Sequence, residues 1–128
     1  MLRSNLNKNK FFSDDRYSEL FFWCDGRNLS TLWNYLEDDY VNFHKRRDAF
    51  LWLIKHFLLE GRIKLHKNGI FFDSSIEDQI KAFRQAWPET DNPYPDHPDA
   101  DFYLWFYDPE CPAGIAWRKD DGSYEIAD

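Results

Sequence analysis

The period of the apolar pattern changes at Gly61, and this limits the folds open to the chain. Before it, apolar residues recur every three or four positions. After it, Arg62-Ile63-Lys64-Leu65-His66-Lys67 alternates strictly. The first pattern buries a stripe of a helix and the second buries one face of a strand. Helices followed by short strands make an α+β fold. The 128 residues suit one domain spanning 1–128.

Within the helical part, Ser13 with Asp14 and Asp15 predicts a helix start, with Tyr17, Leu20, Phe21 and Cys24 as its stripe and Asp25-Gly26 as its end. Ser30 is expected to cap a short helix carrying Leu32, Trp33 and Leu36. A longer helix spans about Val41 to Glu60, with Gly61 just past its end. Residues 1–10 are polar and read as a flexible arm.

Beyond Gly61, Asn68-Gly69 turns the first strand into a hairpin with Ile70-Phe71-Phe72. Ser74 with Glu77 reads as a capping box for an inserted helix with Ile76, Ile80, Phe83 and Trp87 inward. Four prolines within residues 88–101 cannot join a ladder, so this acidic stretch is a surface loop. Phe102–Asp108, Gly114–Lys119 and Ser123–Ala127 are three further strand candidates. The expected architecture is N-terminal helices packed on a small, largely antiparallel sheet with one inserted helix.

The formal charge of −7 is unevenly placed. Residues 1–72 hold 12 Lys/Arg and 9 Asp/Glu; residues 73–128 hold 4 and 14. The second part therefore carries −10, much of it in loops that include Asp96, Asp99, Asp101, Asp120 and Asp121. Gathered on one side, such residues steer a basic partner; dispersed, they only keep the chain soluble. A net negative body disfavours nucleic acid as a partner.

Phe102-Tyr103-Leu104-Trp105-Phe106-Tyr107 is apolar throughout. Read with period two, Phe102, Leu104 and Phe106 share a hydrocarbon face, while Tyr103, Trp105 and Tyr107 share a face with polar handles. Burial on both faces fits this pattern, and so does a core face backed by a docking face. The second is the expectation adopted here, with Asp96, Asp99, Asp101, Tyr103, Trp105, Tyr107, Asp120 and Asp121 as the partner-binding set.

Catalytic and metal signals are weak by comparison. His44/Asp48 and His56/Glu60 are helix-spaced pairs without a third ligand at a recognisable spacing, so no metal or cofactor is expected. Cys24 and Cys111 lack a partner motif. No glycine-rich phosphate loop or nucleophile elbow occurs, so an enzyme is not expected. Two cysteines form no secreted-type framework, and no apolar run exceeds six residues, which points to the cytoplasm and away from the membrane. Aromatic residues make up 20% of the chain, too many for a disordered acidic tail.

Several stretches carry a family resemblance: Glu60 to Gly69, Ser75 to Ile80, Phe83 to Pro88, and Glu110 to Trp117 leading to Asp121-Gly122. Together they resemble a family of small bacterial proteins of unassigned domain function, over about residues 15–127. Members look like the immunity partners of contact-dependent growth inhibition toxins and related polymorphic toxins. The matching residues are turns, caps and a buried Trp, so the resemblance transfers no binding residue. It implies a cytoplasmic immunity protein that neutralises a cognate toxin, in many cases a nuclease with a basic active site, carried as the C-terminal domain of a large secreted protein. The alternatives are an adaptor for another basic protein or peptide, and a small hydrolase using carboxylates.

Overall fold

Each helix starts at a polar side chain that accepts one of its first free amides. In the computed structural model, which describes residues 11–127, Ser13 accepts the Arg16 N–H and opens α1 (Asp14–Cys24). Asn28 does the same for α2 (Leu29–Tyr35), Asn42 for α3 (Phe43–Leu59) and Ser75 for α4 (Ile76–Ala86). Two caps therefore differ from those expected. Asn28 displaces Ser30 because its Oδ1 collects the Thr31 amide and the Thr31 and Ser30 hydroxyls at once. Ser75 displaces Ser74, whose carbonyl instead accepts from the buried Gln79 side chain. The arm expected at residues 1–10 lies outside the described residues.

Strands β1 (Ile63–Lys67), β2 (Ile70–Phe71), β3 (Gly114–Arg118) and β4 (Tyr124–Ala127) form one antiparallel sheet in the order β2-β1-β3-β4. Asn68 and Gly69 both have positive φ, 54° and 84°, as a two-residue hairpin turn requires. The register places Ile63 opposite Trp117 and Leu65 opposite Ile115, so these four fill the inner face. The fold is α+β.

Two clusters of rings surround α3. On one side Phe57 packs on Trp117, Tyr17 and Phe21 at 5.6–5.8 Å between ring centres. On the other, Trp33 of α2 gathers Phe43, Phe50, Trp87 and Phe102 within 5.0–5.8 Å. Edge and tilted contacts of this kind add to the area they bury.

The second cluster corrects the sequence reading. Phe102–Tyr107 is a 3-10 helix and not a strand, with Leu104 N–H donating to Asp101 C=O and Asp108 N–H to Trp105 C=O. Phe102 and Trp105 point inward with Phe106 packed beside them, a spacing of three and four instead of two. Trp105 is 2% exposed and Leu104 is 40% exposed, so the two faces inferred from alternation do not exist.

Candidate recognition surface

The segment between α4 and the 3-10 helix has few backbone partners, yet it is anchored. Its prolines restrict it, the Tyr94 hydroxyl donates to the Asp108 carboxylate at 2.9 Å, and the His97 and Ala100 amides close two turns. Burial and then the bond to Asp108 push the Tyr94 hydroxyl up to about 12. The Glu110 amide and then the Tyr94 hydroxyl hold Asp108 below the usual carboxylate range. The loop is thereby clamped to the segment that follows the 3-10 helix.

That clamp holds out five exposed carboxylates, Glu89, Asp91, Asp96, Asp99 and Asp101. Among the described residues, none of the five has a cation at ion-pair distance. Asp91 and Asp101 meet Glu37, from beyond the end of α2, around a polar cleft of about 710 Å³ that Tyr103 also lines. The floor is Trp33 with the Arg46 guanidinium 5.0 Å from its ring centre. Arg46 is held by the Tyr40 carbonyl at 2.8 Å, so it braces the floor instead of pairing with the acids.

The residues singled out by sequence thus separate into five places. Asp101 and Tyr103 share the polar cleft; Asp96 and Asp99 stand on the same loop outside its lining. Trp105 is sealed beneath, against Trp87 and Phe102. Tyr107, 59% exposed, ends the 3-10 helix at the rim of a second cleft of about 510 Å³, shared with Ser30, His66, Cys111 and Ala127. Asp120 and Asp121 lie in the β3–β4 turn, where the Tyr124 hydroxyl reaches the Gly61 carbonyl past the end of α3. Phe102, by contrast, touches Phe43 at the other end of that 17-residue helix, about 25 Å away. One continuous patch is therefore not formed. Glu37 and Asp91 were missed because nothing in the local pattern links a helix end at 37 to a loop fifty residues later.

Tyr107 is exposed but not loose. Asn28 Nδ2 donates to its hydroxyl at 3.0 Å, that hydroxyl lies 3.1 Å from Ser30 Oγ, and Ser30 returns a bond to Asn28 Oδ1 at 2.8 Å. Lys67 fixes the next segment by donating to the Pro109 and Cys111 carbonyls. Burial pushes the Cys111 thiol up to about 11 and the Cys24 thiol up to about 12, so neither supplies a thiolate at neutral pH. His56, one of the helix-paired histidines, stacks on Trp52 at 3.8 Å with Nδ1 at the Trp52 carbonyl. Among the described residues no helix is long and apolar enough to cross a membrane.

Fold and surface together define a small α+β protein with a clamped acidic loop beside an open polar cleft. The chain belongs to the family described as Protein of unknown function, DUF596, which matches residues 58–126. That range holds α4, the acidic loop, the 3-10 helix and the sheet as far as Ile126. The chain is also similar, at 29% identity and a TM-score of 0.73, to a solved structure from Neisseria meningitidis described as an uncharacterised protein conserved in bacteria. The likeness covers 86% of this chain and 85% of that one. No curated protein sequence matches.

Proposed function

We propose that this protein is an immunity protein of the contact-dependent growth inhibition or polymorphic-toxin kind, acting in the cytoplasm by binding. It neutralises the toxin domain of a large secreted protein by holding carboxylates against a basic, phosphate-binding surface. The observation that carries this reading is the row of five exposed carboxylates, none with a cation at ion-pair distance among the described residues, on a loop clamped by Tyr94. Such a row attracts a basic partner over several ångströms and raises the association rate. Clamping in advance lowers the ordering cost of binding. Tyr103 stands beside Asp101 as a ring for the contact, while Trp105 supports the platform from below.

The test is co-expression with the C-terminal domain of a large secreted protein taken from a neighbouring reading frame. Survival of the cells supports the reading; death with both proteins soluble overturns it. A variant with Glu89→Gln and Asp91, Asp96, Asp99 and Asp101 each changed to Asn is expected to associate about tenfold or more slowly at low salt, with a flatter salt dependence. An unchanged rate removes the loop from the interface.

A further inference from the structure

The strand order leaves β4 at an edge of the sheet. Its register shows which backbone groups face outward. Lys119 N–H donates to the Ser123 carbonyl at 2.7 Å, and pairs along this ladder alternate, so residues 123, 125 and 127 bond to β3. Arg118 N–H donates the other way, to the Arg62 carbonyl of the β1 side at 2.9 Å, as the same alternation requires. The N–H and C=O groups of Tyr124 and Ile126 therefore point away from the sheet. Strand β4 has no proline, lysine or bulge to blunt this edge.

The side chains along the edge restrict what fits it. Glu125 is exposed, and its ion pair with Lys119 is long, at 3.8 Å, and solvated. Asp120 and Asp121 close the same hairpin, with Asp121 held by the Ser123 hydroxyl and amide. Ile126 lies on the opposite face, 38% exposed. A second copy paired through both Tyr124 and Ile126 would set Glu125 against Glu125 at the closer cross-strand spacing, which like charges oppose. A basic side chain at that position is attracted instead. Ile126 and Ala127 also line the cleft rimmed by Tyr107, so the edge runs into a pocket with an immobilised ring.

We propose that β4 accepts an extended segment of a basic protein as a fifth strand, with Lys or Arg opposite Glu125 and apolar residues beside Tyr124 and Ile126. Main-chain bonds supply the attachment, and the alternating side chains supply the selection. This edge is separate from the acidic loop and suits any basic partner, so its failure leaves the immunity reading standing.

The test uses isotope-labelled full-length protein and two blocked peptides, Ser-Thr-Val-Lys-Val-Thr-Ser and its Glu counterpart. The Tyr124 and Ile126 amide protons are expected to shift and to exchange more slowly, with the Lys peptide about fivefold tighter. Glu125→Lys should invert that preference. Ile126→Pro removes an outward N–H and no bond to β3, so it should abolish binding while leaving the thermal transition in place. No shift of those two amides at the highest soluble peptide concentration, equal binding of both peptides, or dimerisation through β4 would each overturn the proposal.

Discussion

Residues 62–67 and 102–107 both read as strands, and only the first is one. In the first, Lys64 lies between Ile63 and Leu65, so one register alone keeps the ammonium wet and both apolar chains dry. In the second, all six side chains are apolar or aromatic, and no charged residue makes one period cheaper than another. A 3-10 turn makes its hydrogen bonds within the segment, whereas a strand must find a neighbour. The rings Trp33, Trp87 and Phe50 then decide which residues turn inward. Alternation is informative where polarity alternates too.

The largest expected effect separates these readings directly. Trp105→Ala should cost about 3–5 kcal/mol in denaturant unfolding, because it removes a sealed ring from the platform; a strand with an outward Trp105 would lose far less. Leu65→Ala, in the segment that is a strand, should cost about 2–5 kcal/mol with no change in the sheet order. Tyr107→Phe breaks the triangle with Asn28 and Ser30 and should cost about 1 kcal/mol.

Alkaline titration probes the clamp on the acidic loop. Tyr94 ionises in the unfolded chain near 10.0 and in the folded chain at about 12, so folding favours its neutral form. The stability it contributes is complete below the lower value and is lost as pH rises through the higher one. Tyrosinate absorbance should show Tyr94 among the late-ionising groups together with Tyr17 and Tyr40, and Asp108→Asn should bring back toward the ordinary value only the Tyr94 step. Smallest of all, Leu104→Ala should change stability by no more than about 0.5 kcal/mol. A loss of several kcal/mol there would restore the strand.

Much of the framework was legible because its signals are local. Ser13, Asn68-Gly69 and Gly61 each act within four residues of the bond they make. The Pro-rich stretch at 88–101 announced a loop for the same reason: proline lacks the N–H that a ladder needs. The surface was less legible. Asp101 and Tyr103, singled out from charge and chemistry, line one cleft, whereas Asp120 and Asp121 sit past the opposite end of α3, beside Gly61.

By itself, then, the sequence determined where helices begin, where the period changes, which loop cannot pair, and on which half the negative charge lies. Tertiary structure alone decided that Trp105 is sealed while Tyr107 is exposed, that Glu37 joins Asp91 and Asp101, and that β4 is left at an edge. The first group rests on hydrogen bonds and steric limits acting over a few residues. The second rests on contacts between residues far apart in the chain, whose energies depend on which apolar surfaces meet once the helices and the sheet have packed.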